Sequence, residues 1–361
     1  MYLLEIVGGK TFLMELRKGW KGFAIFTLVV VLIAGGMTQL YPVVQEAMEP
    51  DELEGAEFVS LEMVEEGIYL RWVTVPEAVE YVVIEDSHPY MVTSHEVERT
   101  IQNHTMVVHT EGERYFAVIY VTHEGEFPLG MVSTEETKDP LEVLMETPFY
   151  RMFTAGRSDL TFDEMEGFLS VELYSWWILL VGVYLSYLSV KSITDDYEDK
   201  RMDIVFSTPL SRERYIVEKF SALGAVVLVM MVLSGIFVML AARTVSDGGG
   251  TNLLVALVIS WPMFLVIIAV SMFLAVLTGS SRKAVGLSFA FIMLNYGFFM
   301  AGHMVDSLSM VHPFTICHYW DYNSVLLDGV VYPWHLFLLT AISVIILLLT
   351  IKVFQDRDLP A

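Results

Sequence analysis

Hydrophobic and polar positions divide this chain into two textures. Long, nearly unbroken apolar runs occupy Phe23–Leu40, Val171–Val190, Phe220–Ala242, Leu253–Leu277, Ala284–Met304 and Trp334–Val353. Each approaches the roughly 20 residues that a helix needs to cross the hydrocarbon core of a bilayer. Six transmembrane helices are therefore predicted. Between the first and second runs the pattern shortens to a period of two: Ile68/Leu70/Trp72, Tyr81/Val83, Met106/Val108, Tyr115/Ala117/Ile119/Val121 and Leu129/Met131. Turn residues punctuate it at Glu66-Gly67, Val75-Pro76, Ser87-His88-Pro89, Glu111-Gly112 and Glu124-Gly125. Alternation bounded by such turns reads as strands. Six or seven of them in about 80 residues predict a small all-β sandwich inserted between helices 1 and 2. The fold class expected is mainly α, a polytopic membrane protein carrying that insert.

Composition strengthens the membrane reading and relocates the charge. The 361 residues are 55% apolar, with a mean hydropathy of +0.55, too high for a soluble globular chain. The net charge is −23, yet residues 43–170 hold 28 acidic and 6 basic side chains while the remainder holds 16 and 15. An acidic soluble block thus interrupts a nearly neutral membrane protein. A single cysteine, Cys317, excludes intramolecular disulfides, so the block must be stable without them. Glu49–Gly55 reads as a linker, and Thr161-Phe162-Asp163-Glu164 as a capping box opening a helix that runs on into the membrane. The expected division is residues 1–42 (an interfacial helix and the first span), 55–137 (the sandwich), 138–170 (a connector) and 171–361 (spans 2–6, with a coupling segment at 193–219).

The basic residues orient the spans. Lys10, Arg17, Lys18 and Lys21, then Lys191 to Lys219, then Arg282-Lys283, then Lys352 and Arg357 all fall on one side. The other side keeps the acidic block, a short loop with Arg243 and Asp247, and residues 306–333, which lack Lys and Arg. By the positive-inside rule both termini are cytoplasmic and residues 43–170 extracytoplasmic. Tyr174, Trp176, Trp177, Tyr332 and Trp334 then stand at outer span ends, where interfacial aromatics are expected. The N-terminus lacks the short apolar core and small-residue cleavage site of a removable signal. Residues 1–21 mix basic and apolar positions as an interfacial amphipathic helix does.

Tyr197 to Lys219 is the polar segment with the densest basic cluster: Lys200, Arg201, Arg212, Arg214 and Lys219. Pro209 should end one helix, and Ser211 should cap the next with Glu213 in its first turn. Asp203-Ile204-Val205-Phe206-Ser207-Thr208-Pro209-Leu210-Ser211-Arg212, then Lys219 opening a span, resembles the type-2 ABC transporter permeases. The six spans, the large insert after the first, Pro313-Phe314 and Tyr319-Trp320-Asp321 before the last span, and the ending Phe354-Gln355-Asp356-Arg357-Asp358-Leu359 are similar too. Arg201-Met202 departs from the small pair usual in that family. The resemblance covers residues 1–42 and 140–361. It implies a permease subunit of an ATP-driven exporter in the cell membrane. Ser207, Thr208, Pro209, Leu210, Ser211, Arg212, Glu213 and Arg214 would contact a cytoplasmic ABC ATPase subunit. A second permease chain, identical or similar, and the lipid bilayer complete the implied partners; nucleic acid is not among them. The acidic block in turn resembles a fibronectin type III domain, on Leu70-Arg71-Trp72, Ala78–Val83 and Tyr115-Phe116-Ala117-Val118.

Other chemistry is sparse. Gly8-Gly9-Lys10-Thr11 lacks the first glycine of a phosphate-binding loop, since Leu4 stands there. The chain is therefore not expected to hydrolyse ATP itself. No catalytic group, metal or cofactor is expected. The nine histidines show no metalloprotease spacing, although His303, His312 and His318 fall near outer span ends with Asp306 and Asp321. Ionisable residues are nearly absent from the spans, with Asn295 and Tyr296 the main polar positions, and Trp261-Pro262 predicts a kink. That absence argues against ion-driven transport, which needs buried carboxylates, and for energy from outside. A membrane-anchored receptor or adhesion protein acting through the sandwich is the alternative; an intramembrane enzyme is disfavoured for want of paired catalytic groups. The substrate is not legible.

Overall fold

The computed structural model describes residues 10–48, 58–64, 67–87, 91, 94–107, 114–123, 125–134, 148–157, 160, 164–199, 202, 210–245 and 250–356. They form two compact units, one comprising Met1–Glu46 with Glu146–Ala361, the other Ala47–Met145.

The first unit is a helix bundle. Its spanning stretches are Gly19–Gln45, Met165–Glu198, Arg212–Val245, Thr251–Thr278, Ser281–Met304 and Pro333–Asp356, one for each predicted run. The first lies within α1 (Lys10–Met48), which continues unbroken from the basic N-terminal segment; residues 1–9 lie outside the described residues. A short helix α2 (Pro148–Phe153) precedes the second span. That span is built in pieces: α3 (Met165–Leu169), a π-helical turn at Ser170–Tyr174, and α4 (Trp177–Glu198). The Ser175 N–H reaches back five residues to the Ser170 carbonyl (3.0 Å), which widens the turn. Glu164 precedes α3 in extended backbone without a side-chain cap, and Thr161–Asp163 of the predicted capping box lie outside the described residues.

The third span is α5 (Arg212–Val245). Where α1 crosses it, a Cβ on Gly35 would lie 2.2 Å from the Phe237 ring, so a larger residue there would have to displace that ring. The fourth span is α6 (Thr251–Val258) and α7 (Trp261–Thr278), with Pro262 in the first turn of α7. Proline is tolerated there because that N–H has no helical partner to lose, and the predicted kink is this restart. Then follow α8 (Ser281–Met304), 3₁₀ segments at Asp306–Phe314 and Cys317–Tyr319, α9 (Tyr322–Asp328) and α10 (Pro333–Asp356). The second and fourth spans are the most buried, and the core runs from Leu185 and Ile193 through Met230 and Phe264 to Phe354.

Two of the aromatics expected at the membrane interface are core residues instead. Tyr174 and Trp177 are fully buried. Tyr174 donates its hydroxyl to the Leu253 carbonyl (2.6 Å) and Trp177 its indole N–H to Met231 sulfur (3.4 Å). Both bind their polar atoms inside the bundle because the second span sits at its centre. Trp176, Tyr332 and Trp334 are exposed as expected.

The second unit is a two-sheet β fold. Its strands are β1 (Val59–Val64), β2 (Gly67–Trp72), β3 (Glu80–Asp86), β4 (His95–Thr100), β5 (His104–Val107), β6 (Tyr115–Thr122) and β7 (Gly125–Ser133). All pairings are antiparallel, in the orders β1-β2-β5 and β4-β3-β6-β7. Ile68, Leu70, Trp72, Tyr81, Val83, Phe116 and Val118 meet in its core. The Trp72 and Tyr81 rings are 5.6 Å apart, and the Tyr81 hydroxyl accepts from the Val75 N–H (2.8 Å). The alternation read from the sequence has the right phase in β2 and β3 and the wrong one in β5 and β6. There Thr105/Val107 and Phe116/Val118 point inward, not Met106 and Tyr115/Ala117, while Val108 lies outside the described residues. The cause is visible in the register: Ile119 lies opposite Val82, and Ala117 opposite Ile84. The outward face of the four-stranded sheet is thus apolar at its middle, and alternation alone cannot choose between two apolar faces. Among the exposed charges, Arg99 gathers Glu80 (3.0 Å), Glu96 (2.9 Å) and Glu126 (3.8 Å), contacts that contribute little at a surface.

Candidate functional site at the basic end of the bundle

The polar segment between the second and third spans is flanked by helix ends that carry buried charge. On α4, Ser189, Ser192 and Asp196 recur at spacings of three and four and so share one face. On α5, Tyr215 and Lys219 do the same. Lys219 is 0% exposed and Asp196 3%, and their contact is direct, Nζ to Oδ2 at 2.8 Å. The same carboxylate oxygen accepts from the Tyr215 hydroxyl (2.7 Å). Lys219 also donates to the Ser192 carbonyl and lies 4.7 Å above the Tyr215 ring. The ammonium is thereby paired, hydrogen-bonded and set over an aromatic face, which is what a buried charge requires. Tyr215 in turn stacks on Phe354 near the end of α10, with centroids 5.7 Å apart at 12°. Tyr197 meets the same ring edge-on.

Around this node, charged side chains close the ends of further helices. Arg212 donates through Nη1 to the carbonyls of Gln355 (2.9 Å) and Phe354 (3.4 Å). These belong to the last turn of α10, whose carbonyls have no helical donors and form the negative end of its dipole. Glu218, 4% exposed, accepts from Arg214 Nε (2.6 Å) through one oxygen and from the Phe12 N–H (3.3 Å) through the other. A carboxylate is thus placed on the first turn of α1, where free N–H groups and the helix dipole favour it. Glu198 does the same for α8 by accepting from the Ser281 N–H (3.2 Å), and Lys191 pairs with Asp195 at 3.0 Å. Among the described residues, the first, second, third, fifth and sixth spans are tied together here by named polar contacts.

Of the residues singled out in the sequence, Leu210, Ser211, Arg212, Glu213 and Arg214 are described; Ser207, Thr208 and Pro209 lie outside the described residues. Ser211 caps α5 as predicted, its hydroxyl accepting from the Arg214 N–H (3.2 Å). Ser211, Glu213 and Arg214 are exposed, while Leu210 and Arg212 are half-buried. Asp196, Tyr215 and Glu218 were not anticipated, and Lys219 was read as a flank of the span rather than as buried. The signal that could have found them is the four-residue spacing of Tyr215 and Lys219, facing an acid on a serine-lined helix face. Asn295 binds within the bundle too, donating to the Phe291 carbonyl (2.9 Å) and accepting from the Ile316 N–H (3.0 Å).

Six apolar spans, a two-sheet insert after the first and a charged, capped turn between the second and third define a multi-pass membrane protein organised like a transporter's membrane subunit. The profile of the ABC-2 family transporter proteins matches residues 10–359, and the chain belongs to that family. Comparison with curated proteins returned no match. Family membership makes this chain a membrane component of an ABC transporter, with an ABC ATPase as the partner that membership implies.

Proposed function

We propose that this chain is the permease subunit of an ATP-driven exporter. Two permease chains, identical or similar, form the path, and cytoplasmic ATPase subunits dock on Ser207–Arg214. Both termini and the basic turn face the cytoplasm, and the two-sheet unit lies outside. The observation that carries this reading is the Asp196–Lys219–Tyr215 node with its surrounding caps. It fastens the helix that begins at the turn to the ends of other spans, so a displacement of the turn moves them as a unit. The basic residues gathered at this end support the orientation. The strand orders β1-β2-β5 and β4-β3-β6-β7 around Trp72 support a fibronectin type III-like sandwich.

The test is co-purification with the ATPase subunit and stimulation of its activity in proteoliposomes. Replacing Pro209-Leu210-Ser211 by glycines, or Arg212→Glu, should abolish stimulation while leaving membrane insertion intact. Arg212 also holds the end of α10, so Glu213→Lys, at an exposed position, separates docking from packing. Full stimulation by all three variants would overturn the assignment.

A further inference from the structure

At the end of the bundle opposite the basic turn, four of the nine histidines form one row of neighbouring rings. His303 stands in the last turn of α8, His312 in the 3₁₀ segment Asp306–Phe314, His318 in Cys317–Tyr319, and His335 in the first turn of α10. Their ring centroids follow one another at 4.0, 6.1 and 6.1 Å. Glycines make room for it. A Cβ on Gly302 would lie 2.2 Å from His312 Nε2, and one on Gly156 would lie 2.9 Å from His303 Nδ1. Nε2 of His303, Nε2 of His312 and Nδ1 of His335 are buried without a hydrogen-bond partner. Three such atoms in one cluster are unusual, since buried polar side-chain atoms are nearly always bonded. Among the described residues, no three His, Cys, Asp or Glu side chains could hold a metal ion. The cation these nitrogens can accept as placed is the proton.

We propose that His303, His312, His318 and His335 form a proton-responsive latch. When neutral it holds residues 305–320 on the end of α8, and when protonated it releases them. The groups facing the row decide the sign. Phe299 of α8 packs against His303 and His312; Tyr319 and Tyr332 pack against His335. Arg151 of α2 acts on His303 as a positive charge, and Asp321 acts on His318 as a negative one. Asp321 is already engaged, binding the Ser324 N–H (3.1 Å) and hydroxyl (2.6 Å) as the cap of α9. Adjacent imidazolium rings at these distances repel, and the Asp321 carboxylate, which acts on His318 in the interior of the row, does not neutralise the others.

Burial lowers the pKa of His312, against a backbone hydrogen bond at Phe299. Burial, then His312 and His335, lower that of His318 against the pull of Asp321. In the released state His312 and His318 regain an ordinary value near 6.5. The closed row therefore binds fewer protons than the released one just below that pH. Its stability is complete above it and falls as the pH drops through the lowered values.

Hydrogen-exchange mass spectrometry of the full chain in nanodiscs, at about pH 7.5 and about pH 5.5 and corrected for intrinsic exchange, tests this. Amides of residues 305–320 should exchange several-fold faster at the lower pH, up to about tenfold for each histidine held neutral in the closed state, the ratio of charged to neutral imidazole one pH unit below 6.5. Those of α7, inside the bundle, should not change. His312→Gln and His303→Gln, as separate variants, should each remove the pH step, with α7 protection confirming that each has folded. If only one folds, that variant decides. A wild type without the step, or a folded variant that keeps it, would overturn the proposal.

Discussion

Lys219 and Asp196 are both buried at the basic end and in direct ionic contact. Removing one partner strands a charge in the core, which costs about 3–5 kcal/mol, whereas exchanging both for apolar groups of similar volume is near neutral. Lys219→Met should therefore lower the melting temperature of the detergent-solubilised chain markedly, and adding Asp196→Leu should restore most of the loss. Equal destabilisation by the single and double variants would show that the pair is not coupled. The sequence displayed part of this site. Ser211 was legible as a cap because an N-cap serine is local chemistry, settled within four residues. Asp196 was not, since its partner lies 23 positions away and only the packing of α4 on α5 brings them together. Arg212 shows the same limit. Its charge marked it as surface, yet one of its N–H groups reaches the carbonyl end of a helix 143 residues later in the chain.

At the scale of elements, spans were read more accurately than strands, for a physical reason. An apolar run of spanning length has one stable form in lipid, since only the helix satisfies its own backbone there. A strand must also choose a face, and in β6 both faces offer apolar side chains. β4 shows the complementary difficulty: His95-Glu96-Val97-Glu98-Arg99-Thr100 has almost no apolar signal, and its pairing with β3 makes it a strand. The breaks inside the second and fourth spans divide similarly. Pro262 announced one, while the π-helical turn at Ser170–Tyr174 has no comparable marker in the sequence. The core of the sandwich rests on Trp72, 1% exposed between the sheets. In a chain cut to residues 47–145, Trp72→Ala should cost about 3–5 kcal/mol, a large share of a small domain's stability. Met63→Ala, at a half-exposed position on β1, should fall within about 0.5 kcal/mol. Urea titration followed by circular dichroism distinguishes them, and equal midpoints would contradict the assigned core.

For the whole molecule, the proposed function joins an orientation to a direction of force. Single cysteines added at Ser60 and Arg282 report the orientation, because the native Cys317 is buried. In sealed cells a membrane-impermeant maleimide should label position 60 and leave position 282 unlabelled until the cells are opened. The reverse pattern would invert every span. The spans are nearly free of charge away from the basic end, and the proposed function assigns the action of an outside subunit to the turn that opens α5. Glu213 is exposed in its first turn, beside the contacts that hold α10, α1 and α4. The most direct measurement is a photo-crosslinking residue at Glu213, compared with one at Trp334 in the first turn of α10 at the opposite end of the bundle, in membranes containing the ATPase subunit. Docking at the turn requires a crosslink to the ATPase from position 213 and none from 334. A crosslink from 334, or none from 213 in a complex that still hydrolyses ATP, would contradict it.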